Sequence, residues 1–167
     1  MATEQQAEPR SQQSVIYAVE PLVSCRTGIE RLMSRHSKEF TYYLDKKGPV
    51  EPLWEFFVQL ESQGRLRICT ARHHDRLVGY FLMVTDLSKH YRHLRLCLDD
   101  TFYMLPEYRA GFGLYEFIKF CDAEMATMGG PGSCLVIADK IDKDMGPILK
   151  RLGYTAEEIR WTRMVEN

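Results

Sequence analysis

Between Leu105 and Leu114 the chain reads Leu-Pro-Glu-Tyr-Arg-Ala-Gly-Phe-Gly-Leu. An apolar, strand-like run ends there and an amphipathic helical run begins. The first turn of a helix carries four backbone N–H groups without intrahelical partners and a partial positive charge from the helix dipole. Glycines at such a place let the backbone approach an anion closely. The segment therefore suits a phosphate or pyrophosphate, with Arg109 adding a full charge. By spacing alone, a tight turn that needs glycine for its own geometry accounts equally well for Gly111 and Gly113. Two other phosphate loops do not fit. The chain has no G-x-x-x-x-G-K-[ST], and no G-x-G-x-x-G in a β-α-β unit near its start.

Five cysteines, Cys25, Cys69, Cys97, Cys121 and Cys134, are widely spaced in apolar stretches and form no C-x-x-C pair. They read as reduced, buried thiols rather than a disulfide frame or a zinc site. None has a convincing histidine partner for nucleophilic work. His90 and His93, with Lys89, Arg92 and Arg95, make a basic cluster that reads as a solvated loop or as a surface for an acidic or nucleic-acid partner. His90-x-x-His93 as a metal pair lacks a third ligand, so no metal site is expected. His73 and His74 read as exposed turn residues.

The elements that must position these groups follow from periodicity. Val15–Val19 reads as a strand. Cys25, Ile29, Leu32, Met33 and His36 fall on one helical face. A second helix runs from Pro52 to Gly64, with Leu53, Trp54, Phe57, Val58 and Glu61 as its stripe. Leu66–Ala71 and Leu77–Thr85 read as strands around a hairpin turn at His73-His74-Asp75. Leu94–Leu105 is a third long strand, which the glycine turn follows at once. Leu114, Phe117, Ile118, Cys121, Met125 and Met128 then lie at offsets 0, 3, 4, 7, 11 and 14, and Gly129-Gly130-Pro131-Gly132 ends that helix. Cys134–Ala138 reads as a strand buried on both faces, Asp144–Leu152 as a short helix and Ile159–Val165 as a last strand. This mixed order implies an α+β fold around one largely antiparallel sheet.

With 167 residues the chain suits one domain, expected over residues 15–167, preceded by a disordered lead-in over residues 1–14. Its net charge of −1, from 22 Lys and Arg against 23 Asp and Glu, gives no global attraction to nucleic acid or anionic membrane. Neither partner is expected. Met1–Ser14 lacks the apolar stretch of a signal peptide, and no run is long enough to span a bilayer, so a cytoplasmic location is expected.

The segment Leu105–Leu114 resembles the acetyl-CoA pyrophosphate turn of the GNAT N-acetyltransferases, which reads Pro-Glu-Tyr-Arg and then a glycine-spaced loop at the end of the fourth strand. Ile148-Leu149-Lys150-Arg151-Leu152-Gly153-Tyr154 resembles that family's late helix and its Leu-Gly-Phe ending. The motif-level likeness runs from about Asp99 to Tyr154, and the element order matches from Val15 to Val165. In wording it is most similar to small acetyltransferase-like proteins of tailed phages. The resemblance implies a GNAT fold: a mostly antiparallel mixed sheet of six to seven strands flanked by four helices. It also implies acetyl-CoA as acyl donor. Phe102, Met104 and Leu105 would offer the strand edge, and Tyr108, Arg109, Ala110, Gly111, Phe112, Gly113 and Leu114 would hold the cofactor.

Direct acetyl transfer to an amine needs that amine neutral, although a lysine-like ammonium has a pKa near 10. A base is therefore required. Asp99 and Asp100 are the nearest carboxylates, on adjacent positions and so on opposite strand faces. One of them, acting through a water, is the expected base; the alternative makes both exposed strand residues beside an irregularity. Two departures from the family matter. With Gly111 and Gly113 in the glycine places, Tyr108 stands where Gln or Arg is usual. Leu149 stands where many members carry a Tyr that protonates the departing thiolate. The acceptor, a small-molecule or protein amine, is expected to meet the first two helices and their loop, near Phe40–Leu44 and Trp54–Phe57, although core packing explains Trp54, Phe56 and Phe57 more readily. A homodimer is common in such families. A catalytically silent scaffold that binds acetyl-CoA or protein stands as the rival reading.

Overall fold

The computed structural model describes residues 15–39, 50–140, 144–159 and 161. Five strands occur among them: β1 (Ile16–Val19), β2 (Leu66–His73), β3 (Arg76–Leu87), β4 (Arg95–Met104) and β5 (Cys134–Val136). Four α-helices accompany them: α1 (Leu22–His36), α2 (Trp54–Ser62), α3 (Gly113–Gly129) and α4 (Gly146–Arg151). Short 3-10 turns follow α1 at Ser37–Glu39 and β4 at Pro106–Tyr108. The sheet runs β1-β2-β3-β4-β5, antiparallel throughout except for the parallel β4–β5 pair.

The strands alternate their side chains between two helical layers. On one face Tyr80 and Tyr103 meet His36 of α1. On the other, Phe81 packs on Phe102, and Phe102 on Phe117 of α3. Covered on both faces, β3 loses the polar alternation of a half-exposed strand, and every residue from Leu77 to Met83 is buried. α3 buries Phe117, Ile118, Cys121 and Met125. The large side chains among them each contribute about 1.5–3 kcal/mol by leaving water. The hairpin turn forms as expected. His74 and Asp75 both adopt positive φ (49° and 60°), which a two-residue loop matched to strand twist requires.

Several expectations need correction. The sheet has five strands among the described residues rather than six to seven. The expected last strand, Ile159–Val165, falls mostly outside the described residues; Ile159 and Trp161, which are described, are exposed and not in a strand. The lead-in over residues 1–14 and the aromatic segment Phe40–Leu44 also lie outside them. β5 is short and half-buried rather than covered on both faces, and among the described residues it borders only β4. In α2 the buried residues are Trp54 and Leu60, while Leu53 and Val58 are 73% and 52% exposed. The helix starts at Trp54, which rotates the stripe away from both. Of the cysteines, Cys134 is only half-buried.

Candidate functional site

β4 is irregular where its two aspartates lie. Leu82 pairs with Thr101 and Met83 with Asp99, so Asp100 is the extra residue of a β-bulge. The opposite edge of β4 pairs with β5 only over Leu96–Leu98. From Asp99 to Met104 that edge has no strand partner among the described residues, and its outward backbone groups are open to a ligand. At the fork the Asp99 carboxylate accepts a hydrogen bond from Ala138 N–H at 2.9 Å, tying the end of β5 to β4. The bulge breaks the usual alternation: Asp99 keeps the face of Met83 and Thr101 that of Leu82. Asp99 is within electrostatic reach of Tyr154, whose hydroxyl donates to Asp122 of α3 at 2.7 Å. Asp100 acts instead on Tyr80, on the α1 side.

Asp100 is open to solvent, yet desolvation raises its carboxyl pKa above the ordinary value. Water reaches the carboxylate, while the protein packed around it disfavours its charge. Beside it lies a buried aromatic group. His36 Nδ1 and the Tyr80 hydroxyl share a 2.7 Å hydrogen bond, and the His36 ring stacks on Tyr103 at 4.7 Å. Burial first, then the nearby cations Lys140 and Arg109, pushes the His36 pKa down to about 4, so the ring is neutral at pH 7. Burial likewise pushes the Tyr80 hydroxyl well up.

The open edge of β4 runs directly into the glycine turn. Gly111 has φ +64°, and a side chain built on it would project into open space. A Cβ on Gly113 would overlap the Tyr108 carbonyl oxygen, so only glycine fits there. α3 starts at Gly113 with no side-chain cap. Its first turn therefore offers N–H groups to an incoming anion. Phe112 is 72% exposed, and Ala110 and Gly111 are also open to solvent. Leu114 is half-buried behind them, while Phe102, Met104 and Leu105 face inward, with Met104 and Leu105 wholly buried. Of those three, the β4 residues Phe102 and Met104 can meet a ligand through their outward backbone rather than their side chains.

The turn is braced from beneath. Arg109 Nε donates to Met104 O at 2.6 Å, its other nitrogen to Glu39 at 2.9 Å, and its guanidinium covers the Tyr103 ring at 5.2 Å. Its charge thus offsets Glu39 instead of standing free above the turn. Arg35 of α1 grips Glu107 through two nitrogens at 3.2 and 3.3 Å. The Tyr108 hydroxyl bonds His73 Nδ1 at 2.8 Å. His73 is therefore a half-buried brace rather than an exposed turn residue. The usual tyrosine place holds Leu149, which is 7% exposed and packed in the core. Sequence reasoning missed His36, Tyr80, Tyr103 and Glu39. The one available signal was an imidazole on the apolar face of α1. Among the described residues no group of three or more His, Cys, Asp or Glu is arranged to hold a metal ion. No helix there is long and apolar enough to cross a membrane.

No family model matches the chain, and no curated protein matches it. Solved structures do. A ribosomal-protein-alanine N-acetyltransferase from Brucella melitensis biovar Abortus 2308 superposes with a TM-score of 0.65 at 16% identity, over 92% of this chain and 99% of its own. An aminoglycoside acetyltransferase from an uncultured soil metagenomic sample, in complex with sisomicin, gives 0.63 at 14% identity over 91% and 97%. An acetyltransferase from Clostridium acetobutylicum with acetyl-CoA gives 0.60 at 12% identity over 91% and 96%. At these identities the likeness is one of fold. The mixed five-stranded sheet with its four helices is the GNAT fold.

Proposed function

We propose that the chain is an acetyl-CoA-dependent N-acetyltransferase acting on an amine of a small molecule or a protein. One observation carries this reading: the β4 edge from Asp99 to Met104, which has no strand partner among the described residues, runs straight into a helix start without a side-chain cap, held by Gly111 and Gly113. An extended thioester with a pyrophosphate at one end fits such a path. The strand edge offers backbone partners for an amide-bearing arm, and the turn offers N–H groups for the phosphates. When bound, acetyl-CoA supplies the activated acetyl group.

The chain's own residues do the rest. Asp100 stands at the bulge where the strands part, and its raised pKa makes it a better proton acceptor than a fully solvated aspartate. It takes the proton of the incoming ammonium through a water. Asp99 stays with Ala138 and keeps the fork open. N–H groups of the β4 edge stabilise negative charge developing on the carbonyl oxygen. The acceptor comes from the α1 and α2 side, where Asp100 faces. Both protein and small-molecule acceptors occur among proteins of this fold, as the ribosomal-protein and aminoglycoside enzymes illustrate.

A second reading, a scaffold that binds acetyl-CoA without turnover, is favoured by Leu149. It puts a buried aliphatic side chain where a tyrosine would act as acid. Calorimetric titration with acetyl-CoA and with CoA, followed by an amine and peptide panel, separates the two. Micromolar binding with acetyl transfer supports the enzyme; binding without transfer supports the scaffold. Binding of neither removes both.

A further inference from the structure

The loop between β3 and β4 holds a group of side chains that the reading above leaves unused. Residues 88–94 close a compact turn. Ser88 N–H donates to Leu94 O at 2.8 Å and Leu94 N–H to Tyr91 O at 2.9 Å. The Ser88 hydroxyl accepts from the N–H groups of His90 and Tyr91 at 3.3 and 3.2 Å. This turn projects Lys89, His90, Tyr91, Arg92 and His93 outward, and all five are exposed. Beside them lies a shallow, wide-open hollow lined by His90, Tyr91, Arg92, His93, Leu94 and Gly132.

The cations of this loop have no carboxylate partner among the described residues, as is also true of Arg31 and Lys150; what sets the loop apart is their density. Arg26, Arg35, Arg65, Arg67, Arg72 and Arg109 each pair with a carboxylate. Lys89, Arg92 and Arg95 make no ion pair or side-chain hydrogen bond among the described residues. The nearest preceding acid in the chain, Asp86, is bound to Arg65 at 2.9 Å and accepts from Leu87 N–H. Three permanent cations and two imidazoles thus crowd seven residues of a chain whose net charge is −1. Like charges so close repel, and an anion relieves that repulsion. Tyr91, 67% exposed at the wall of the hollow, adds a flat aromatic face. Cations beside an exposed aromatic ring match a phosphate joined to a stackable base.

We propose that this hollow binds a nucleoside phosphate, either free or as an unpaired residue of a nucleic-acid strand. Tyr91 stacks on the base, and Arg92, Lys89 and Arg95 meet the phosphates. The site lies at the opposite end of β4 from the glycine turn. Ten strand residues separate the two, about 30 Å of chain. It is therefore separate from the place assigned to acetyl-CoA and does not depend on that assignment. The near-neutral whole chain gives no long-range attraction to a polyanion, so recognition rests on this local cluster.

The test is fluorescence titration of the full chain with a fluorescent ADP and, in a second arm, with a fluorescein-labelled octauridylate, each between 50 and 200 mM NaCl. The expected Kd is about 1–100 μM at low salt, with a log–log salt slope between about −1 and −2. Tyr91→Ala weakens binding about 10-fold, and Arg92→Gln reduces the slope by about 1. Arg95→Gln, on the strand rather than the loop, serves as a second variant, and unchanged melting temperatures show that all three fold. Saturation by ADP identifies a free nucleotide, and saturation by the oligonucleotide alone identifies a strand; either supports the site. Four results overturn it: no saturation by either probe, affinity unmoved by Tyr91→Ala and Arg92→Gln, loss of probe binding in Gly111→Trp, or equal binding of poly-glutamate.

Discussion

At the scale of single residues, two side chains on the α1 face of the sheet respond to pH in ways the structure fixes. In its proposed role Asp100 accepts a proton only when ionised, and desolvation raises its pKa. Acetyl transfer therefore falls on the acid side at a pH above the ordinary aspartate range, near 3.9. Asp100→Asn lowers kcat about 100-fold and removes that acid limb from the pH–rate profile. Asp99→Asn keeps an oxygen for Ala138 N–H and costs no more than a few-fold. Equal losses in the two variants would assign the base elsewhere. His36 behaves as a buried neutral imidazole with its pKa pushed down to about 4. A base with a depressed folded pKa destabilises the fold once the unfolded chain takes up the proton. Stability thus declines as pH falls from about 6.5 towards 4, by about 2–3 kcal/mol between pH 7 and 4.5. His36→Gln retains a partner for the Tyr80 hydroxyl but does not titrate. Urea unfolding at several pH values should show the stability gap between wild type and variant narrowing as pH falls. A gap that stays constant would mean that His36 is not held neutral.

At the scale of elements, the turn between β4 and α3 needs its two glycines, each for a different reason. Gly111 holds a positive φ above open space, whereas Gly113 leaves no room for a Cβ beside the Tyr108 carbonyl. Two substitutions at Gly111 separate backbone strain from blockage of the site. Asn tolerates a left-handed backbone and is short; Trp fills the space above the turn. Gly111→Trp abolishes CoA binding by calorimetry, while Gly111→Asn weakens it by less than about 10-fold. Equal affinity in the Trp variant and wild type would place the phosphates elsewhere. The glycine spacing and the helix behind it were legible in the sequence because both are local: a strand run, a breaker and a 3.6-residue stripe. The setting of Arg109 was not. Its pairing with Glu39, seventy residues away, forms only when α1 docks against the end of β4, and no local pattern encodes that contact. His73 was hidden for the same reason, since its bond to Tyr108 depends on how the hairpin closes over the turn. The bulge at Asp100 was equally invisible, because register belongs to a pair of strands and not to either one.

At the scale of the whole molecule, β1 to β4 pair in antiparallel order among the described residues, and β5 parts from β4 after Val136. A ligand seated there joins two parts of the chain that otherwise meet over three residues of pairing and the Asp99–Ala138 bond. Binding to the folded state alone raises its stability by RT ln(1 + [L]/Kd), about 2.7 kcal/mol at a hundredfold excess over Kd. For a chain of this size that corresponds to a melting shift of about 5–10 °C. Acetyl-CoA should therefore raise the melting temperature by that amount, and the gain should grow with the logarithm of ligand concentration. Gly111→Trp should show no gain, because it blocks the phosphates while leaving β4 and β5 untouched. Tyr91→Ala should show the full gain, because the β3–β4 loop lies at the far end of the strand. A shift that persists in the Gly111 variant but fails in the Tyr91 variant would reverse the two assignments, placing the cofactor at the basic loop and leaving the glycine turn a purely structural corner.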